Sequence, residues 1–380
     1  MKSKWYVWIV RAWLLAVLAS PPGVDAHDLH GIVSETATPA EGAEHALAAA
    51  ESVSVSNAVS GQGEYRFRVL FRRDILPPEA QAVLEKAHGG FAVDRREGRG
   101  EIYFALPGAG IIRLSPDCKT AGILPTPEVM KETNLHNTTI WYAEDGTARL
   151  VFPANDIGKV FTTSLDGTLL SVLDAPSAET DFDETKVNDY FKNQGKFAPT
   201  DVAYLDHLYY ITTGYSDLDY VLTAQVSEAP LTAAWHDLAF GGKGTGPGQL
   251  QTGHGITAEL NGKRLDVADR PVAEIERYTR HGHYRDTIHL PEGAYPCDID
   301  FLEGLALVPC LQGPGKDKGA PVYIMKDGQV ISTIMPKEEL GLERFQHVHN
   351  AVLTRCQDKL YIVLQAWNPG DFAVLEQVVN

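Results

Sequence analysis

The chain has 380 residues, 44% of them hydrophobic, and a formal net charge of −17 at pH 7. This length suffices for one large or two ordinary domains, and so acidic a surface repels nucleic acid and anionic lipid. We therefore expect a peptide or small-molecule ligand, no nucleic-acid binding and no stable membrane insertion.

Residues 1–26 have the pattern of a signal peptide. Lys2, Lys4 and Arg11 are followed by an apolar run, and small residues at the end of the segment provide a cleavage site. Arg11 divides the apolar stretch, so neither part reaches the roughly 20 residues that a membrane-spanning helix needs. An uncleaved membrane anchor is the alternative. We predict a secreted or periplasmic protein, whose net charge becomes −19 when cleavage removes three basic residues and Asp25.

The composition changes sharply near residue 65. Residues 27–64 are rich in Ala, Glu, Ser, Gly and Thr and poor in aromatic residues, which predicts a flexible linker. From Tyr65 onward, short apolar or alternating runs are separated by turn residues, as in APVYIMKDGQVISTIM at 320–335. Helical patterns are nearly absent, apart from one short helix predicted over 79–87. Residues 65–380 are therefore predicted to be all-β.

Six units of similar sequence follow one another in this region. Each opens with a small or polar pair and an apolar strand; the openings are HGGFAVD (88–94), HNTTIWY (136–142), PTDVAYL (199–205), HGITAEL (254–260), PCDIDFL (296–302) and HNAVLTR (349–355). Six units predict a six-bladed β-propeller, in which the first strand of each four-stranded blade lines a central channel. The last unit lacks an outer strand, and YRFRVLF (65–71) is predicted to supply it and close the ring. A β-sandwich with extra strands is the alternative, although six repeats are too many for one sandwich.

Histidines recur at the first position of alternate units. His136, His254 and His349 open units two, four and six, whereas units three and five have proline there and His88 of unit one lies one place early. Alternate blades of a closed six-fold ring are a third of a turn apart, so the three imidazoles should converge on the channel axis. Three histidines with an open fourth position suit zinc. Three separately hydrogen-bonded channel histidines are the alternative, and His347 is expected to point elsewhere.

Four cysteines in an exported chain suggest two disulfides, for which three pairings exist. We favour Cys297 with Cys310, because they begin and end neighbouring strands of one unit. Cys118 would then pair with Cys356 and join the neighbouring units one and six. No CxxC spacing is present, so a cysteine metal knuckle is not expected.

Two segments carry a resemblance to a known family. FAPTDVAYLDHLYYITTGY (197–215) and GTGPGQLQTGHGITAELNGKRLDVADR (244–270) resemble NHL repeats, and the three-histidine arrangement resembles that of peptidyl-α-hydroxyglycine α-amidating lyases. The resemblance covers roughly residues 65–380. It implies an NHL-like six-bladed zinc propeller that splits a peptidyl carbinolamide into a peptide amide and glyoxylate. It further implies that the three histidines bind zinc, that Tyr215 in TTGY is catalytic, and that Arg270 in VADR is an active-site arginine.

Tyr215 and Arg270 also make chemical sense by themselves. Both follow second strands, in loops on one face of the ring. A tyrosine beside zinc and a guanidinium would have its phenolate form favoured, which suits a base for a hydroxyl proton. The alternative is a packed loop tyrosine and an arginine paired with Asp269 or Glu274.

The chain departs from the family at three positions. FALPGAG (104–110) lacks a catalytic arginine, His347 replaces a methionine, and Asn350 replaces a calcium-binding aspartate, so that calcium is a further candidate ion. We therefore predict an exported, monomeric, zinc-dependent carbon–nitrogen lyase with a changed substrate. The alternatives are a metal-binding propeller with another reaction and a non-enzymatic NHL propeller that binds a peptide or protein partner.

Overall fold

The computed structural model describes residues 57–259, 262–315 and 317–379. The predicted signal peptide and most of the predicted linker lie outside these residues. The first described strands are β1 (Ser60–Gln62) and β2 (Tyr65–Arg72), so β1 lies within the stretch predicted as a linker. Both strands belong to the last sheet of the fold.

The described strands form six antiparallel sheets, which are the blades of a propeller. Blade 1 contains β3 (Phe91–Val93), β4 (Ile102–Leu106), β5 (Gly110–Leu114) and β6 (Ala121–Ile123). Blade 2 contains β7 (Thr139–Tyr142), β8 (Ala148–Ala154), β9 (Lys159–Ser164) and β10 (Leu169–Asp174). Blade 3 contains β11 (Asp201–Leu205), β12 (Leu208–Thr212), β13 (Tyr220–Glu228) and β14 (Leu231–Gly241).

The second half of the ring follows the same plan. Blade 4 contains β15 (Gly253–Ala258), β16 (Arg264–Asp269), β17 (Glu274–Thr279) and β18 (Tyr284–His289). Blade 5 contains β19 (Asp300–Leu302), β20 (Leu305–Pro309), β21 (Val322–Lys326) and β22 (Gln329–Ile334). Blade 6 contains β23 (Val348–Cys356), β24 (Lys359–Ala366) and β25 (Asp371–Gln377), joined by β2 and β1. The predicted six-bladed architecture is confirmed.

The predicted ring closure is also confirmed. β2 pairs antiparallel with β25, placing Phe67 opposite Gln377 and Val69 opposite Leu375. β1 pairs with β2 as a fifth strand of this sheet. It also contacts blade 5, where the Gln62 N–H donates to Ser332 Oγ at 2.9 Å. The N-terminal strands therefore complete blade 6 and bind it to its neighbour.

The core is divided among the spaces between blades. Six clusters of buried apolar side chains occur in the described residues, and each joins two successive blades, including blade 6 with blade 1. Each blade is buried on both faces, because every sheet packs against two others. This arrangement holds the inner strands in a fixed ring around the channel.

Helices are few and short. They are α1 (Pro78–Ala82), α2 (Glu128–Lys131) and α3 (Thr185–Lys192), with 3₁₀ turns at Arg73–Ile75 and Leu84–Lys86. The helix predicted over 79–87 is thus α1 followed by a 3₁₀ turn, with the break at Val83. Within the described residues, no helix is both long and apolar enough to cross a membrane.

The predicted disulfides are not formed in the structure, where all four cysteines are free. The Cys297 thiol is directed to Arg270, whose Nη2 donates to Sγ at 3.1 Å, although Cys310 is buried nearby. Cys118 is buried between blades 1 and 6 in a turn with a positive φ of 58°. The sequence spacing predicted that Cys297 and Cys310 are neighbours, but it could not predict that the Cys297 thiol is directed to Arg270.

Candidate metal centre

The structure brings His136, His254 and His349 together at one end of the channel. His254 and His349 lie at the start of β15 and β23, whereas His136 lies three residues before β7, and all three are 0–1% exposed. Their ring centroids are separated by 4.6 Å (His136–His254), 4.8 Å (His136–His349) and 5.1 Å (His254–His349). Three alternate blades therefore direct their imidazoles to one small volume.

Each of these imidazoles is oriented by the blade that follows it. Nδ1 of His136 donates to the Thr200 carbonyl at 2.7 Å, Nδ1 of His254 to the Cys297 carbonyl at 2.7 Å, and Nδ1 of His349 to the Gly89 carbonyl at 3.2 Å. A carbonyl can only accept, so Nδ1 carries the proton and Nε2 has its lone pair in the neutral ring. Metal-ligating histidines in proteins are commonly fixed in this way.

The glycine after His254 permits this contact. A Cβ on Gly255 would lie 2.5 Å from the Cys297 carbonyl oxygen and 2.7 Å from the Asp298 Cα atom. Any larger residue would hold blade 5 away and lengthen the hydrogen bond from His254. The His-Gly pair at the start of this buried strand is thus a packing requirement of the site.

The nitrogen atoms that face one another suggest a cation. His136 Nε2 and His254 Nε2 are 3.2 Å apart, and both are acceptors when Nδ1 carries the proton. Burial, with Arg270 and the other histidines, holds the pKa of His254 and His349 well below the usual range, which opposes a bridging proton. Among the described atoms, His349 Nε2 is buried without a hydrogen-bond partner. Ligands of a tetrahedral zinc ion, with bonds of about 2.0–2.1 Å, are spaced about 3.3 Å apart, and the His136–His254 pair matches this spacing. The described residues whose ligand atoms all lie close together, within 4.8 Å of one another, are His88, His136 and His349, a group that does not include His254.

Tyr215 and Arg270 lie beside these nitrogen atoms. Tyr215 follows β12 and its hydroxyl lies 3.2 Å from Nε2 of both His136 and His254. Arg270 follows β16 and is 2% exposed; its Nη1 donates to the Tyr215 hydroxyl at 2.9 Å. The loops of blades 3 and 4 therefore meet at the histidine cluster.

The alternative partner considered for Arg270 is engaged elsewhere. Asp269 accepts the backbone N–H groups of Gln251 and Thr252, which lie just before His254. The Arg270 guanidinium instead spans Tyr215 and the Cys297 thiol. Sequence reasoning had assigned Cys297 only to a disulfide, because contacts between blades leave no local spacing signal.

In the protein alone, the pKa of Tyr215 lies above its usual value, whereas the predicted phenolate applied to a tyrosine beside both zinc and a guanidinium. Burial raises this pKa, and the charge and hydrogen bond of Arg270 oppose the rise without reversing it. The hydroxyl therefore carries its proton in the protein alone. A second positive charge close to the oxygen would be needed to favour the phenolate.

His88 is the functional candidate that sequence reasoning missed. Its ring centroid lies 4.7 Å from that of His136 and 4.5 Å from that of His349, and the ligand atoms of these three residues are within 4.8 Å of one another. The signal was present in HGGFAVD, but His88 was one position out of register with the other histidines. It belongs to the loop before β3, and not to a strand.

His347 and Asn350, which also depart from the pattern of the resembled family, make hydrogen bonds within the protein. His347 bonds the Leu311 carbonyl through Nδ1 at 2.7 Å and lies outside the group of His88, His136 and His349. The Asn350 amide donates to Asp298 Oδ2 at 2.6 Å and accepts the Phe91 N–H at 3.1 Å. These bonds connect blade 6 with blades 5 and 1, so calcium binding at Asn350 stays a prediction.

No protein-family model and no curated protein sequence matches the chain. Among solved structures, a gluconolactonase from Xanthomonas campestris matches with 13% identity and a TM-score of 0.49, over 85% of this chain and 98% of its own. A streptogramin B lyase matches with 12% identity and a TM-score of 0.45, over 86% and 89% of the two chains. A chain from a nidogen–laminin complex matches with 12% identity and a TM-score of 0.48, over 78% and 98%. At this level of identity the similarity concerns the propeller fold alone.

Proposed function

We propose that the protein is an exported, zinc-dependent carbon–nitrogen lyase that splits an N-acyl α-hydroxyglycine, at the end of a peptide or a smaller acyl group, into an amide and glyoxylate. The observation that carries the proposal is the facing pair of Nε2 atoms, His136 and His254, with the Tyr215 hydroxyl 3.2 Å from both. The signal-peptide pattern of residues 1–26 supports export.

His136, His254 and His349 would hold the ion. Zinc in such a site polarises a substrate oxygen and offsets the negative charge that develops there. Their Nδ1–H bonds to carbonyls of the next blades keep each ring in the required tautomer and orientation.

Tyr215 is the group placed to move the proton. In the reaction, the substrate hydroxyl loses its proton, its oxygen becomes the aldehyde oxygen of glyoxylate, and the carbon–nitrogen bond breaks. As the phenolate, which a bound zinc ion together with Arg270 would favour, Tyr215 would accept the hydroxyl proton and then return it to the departing amide nitrogen, which regenerates the phenolate. Its half-buried ring lies on the accessible side of the cluster.

Arg270 positions Tyr215 and supplies positive charge. Its Nη1 donates a hydrogen bond to the Tyr215 hydroxyl oxygen, and this bond would stabilise the deprotonated, phenolate form of Tyr215. Its Nη2 is held by Cys297, so the guanidinium has a fixed direction. The carboxylate of a hydroxyglycine would also be attracted to this charge.

Blade 1 departs from the pattern of the resembled family in one respect. The loop FALPGAG after β4 offers no arginine, and Arg95, which follows β3, pairs instead with Asp300 at the opposite end of the inner strands. Blade 1 contributes His88 to the cluster in its place. We therefore propose an N-acyl group other than an extended peptide as a substrate candidate.

Two measurements on the purified mature chain test the proposal. Stoichiometric zinc together with glyoxylate release from a hydroxyglycine-terminated peptide or N-benzoyl hydroxyglycine would support it. Zinc without glyoxylate release from either compound would favour a metal-binding propeller with another reaction. A chain without stoichiometric metal would favour the non-enzymatic propeller.

A further inference from the structure

His88 is held against the cluster by contacts unlike those of the other three histidines. Asn134 Nδ2 lies 2.9 Å from His88 Nδ1 and also donates to Asn155 Oδ1 at 3.0 Å. The His88 ring stacks on Trp367 with centroids 5.2 Å apart and an interplanar angle of 24°. Side chains, and not backbone carbonyls, therefore orient this imidazole.

Asn134 Nδ2 can only donate, so in the structure His88 Nδ1 accepts and Nε2 carries the proton of the neutral ring. Binding a metal through Nε2 therefore requires the ring proton to move to Nδ1. An amide can rotate by 180°, which exchanges its nitrogen and oxygen at the same positions. Rotation of Asn134 alone would place its Oδ1 3.0 Å from Asn155 Oδ1, so the Asn155 amide must rotate as well; Asn134 Oδ1 then accepts from Asn155 Nδ2 and from His88 Nδ1–H. His88 then has the same tautomer as the other three histidines.

We propose that His88 is a fourth, exchangeable ligand of the metal centre. The inference rests on the proposed metal site. Ligand atoms of His88, His136 and His349 are within 4.8 Å of one another; His254 is not a member of that group, but its Nε2 lies 3.2 Å from His136 Nε2. His136 thus belongs to both sets, and one ion could bind all four imidazoles only after the His88 and His254 side chains move toward a common point. Four nitrogen ligands complete the tetrahedral shell that zinc prefers, whereas catalysis requires an open position.

His88 is the ligand best placed to leave. His254 and His349 lie within inner strands and His136, like His88, lies three residues before one, but these three are 0–1% exposed, whereas His88 is 7% exposed. Its neighbours on the accessible side, Tyr215 and Trp367, are half-buried. A substrate oxygen that approaches from this side displaces His88, whose ring remains stacked on Trp367.

X-ray absorption at the zinc edge tests the coordination of the full-length mature protein. The wild-type protein should show four imidazole ligands, and His88→Ala should show three with one oxygen ligand. Zinc affinity should fall in His88→Ala by at least the 10–100-fold that loss of an outer partner costs. His347→Ala, which removes a nearby histidine bound to Leu311, is the matched control and should behave as wild type.

Azide titration of the cobalt-substituted protein tests exchangeability. Because azide must displace His88 in the wild type, its apparent Kd should be at least about tenfold weaker there than in His88→Ala. Equal azide affinities, or three imidazoles and an oxygen in wild-type zinc protein, would overturn the role of His88 and leave the three-histidine lyase intact. Absence of stoichiometric zinc from the wild type would overturn both proposals.

Discussion

The Tyr215 hydroxyl accepts a 2.9 Å hydrogen bond from Arg270 Nη1 while lying 3.2 Å from two imidazole nitrogens. One oxygen atom is thus shared by a guanidinium and by the proposed metal ligands His136 and His254. This contact joins the loops of blades 3 and 4. It places the Tyr215 oxygen where both the proposed metal ion and the Arg270 charge would stabilise its phenolate form.

Replacing Tyr215 by phenylalanine should abolish proton transfer and preserve metal binding. The hydroxyl is lost while the ring, which packs against His136 at 4.9 Å between centroids, is retained. We expect glyoxylate release to fall by roughly 10²–10⁴-fold, as for the loss of a general base. Tyr210→Phe is the control, since that hydroxyl bonds the Arg280 carbonyl away from the site. Equal turnover in zinc-loaded wild type and Tyr215→Phe would exclude this mechanism.

Arg270→Lys tests whether direction matters in addition to charge. Lysine keeps the positive charge but cannot contact Tyr215 and Cys297 together with a rigid fork. Loss of one charge-assisted hydrogen bond, about 1.5–3 kcal/mol, should lower kcat/KM by about 10–100-fold. Steady-state kinetics of the zinc-loaded variant measure this. Wild-type kinetics in Arg270→Lys would show that only the charge is needed.

The carboxyl group of Asp269 should make stability depend on pH. Burial raises its pKa to about 7 in the folded protein, compared with about 3.9 in an unfolded chain. Between these values the folded state retains a proton that the unfolded chain has released, so stability falls as the pH rises from about 4 to 7. The contribution is roughly 4 kcal/mol, because one pKa unit corresponds to about 1.4 kcal/mol.

Asp269→Asn should remove that part of the pH dependence. Its amide oxygen can still accept the N–H groups of Gln251 and Thr252. Urea unfolding between pH 4 and 7 should give a shallower decline than in wild type, and Asp327→Asn, at an exposed turn, should leave the decline unchanged. Parallel pH profiles for wild type and Asp269→Asn would contradict the assignment.

Ring closure should depend on Phe67. This side chain of β2 is 0% exposed and packs in the cluster between blades 5 and 6. Phe67→Ala should reduce the free energy of unfolding by about 3–5 kcal/mol, as measured in urea. Phe71→Ala, at a half-buried position on the same strand, should cost less. Equal costs would mean that β2 does not close the ring through its buried face.

The fold was predictable because the repeats are periodic. Each blade presents the same sequence position to the axis, so the alignment of His136, His254 and His349 follows from the sequence alone. The sixth unit lacks an outer strand, and this gap predicted that residues 65–71 supply that strand and close the ring. These inferences depend only on sequence period and ring geometry.

The remainder of the site was not predictable because it depends on contacts between blades. His88 lies in the loop before β3, one position away from the alignment that revealed the other histidines. The pairing of Arg270 with Cys297, 27 positions away in the next blade, has no local pattern. The pKa of Tyr215 rises because burial outweighs one guanidinium, and the extent of burial follows from the packed structure alone.

Zinc content tests the central claim most directly. His136 contacts His88, His254 and His349 and belongs to every candidate ligand set, so His136→Ala is the decisive variant. His283→Ala, at an exposed outer turn, is the matched control. We predict one zinc per chain in wild type and His283→Ala, and loss of zinc from His136→Ala after dialysis against a weak chelator. Wild-type protein without stoichiometric zinc, or His136→Ala that retains the wild-type zinc content, would contradict the metal centre.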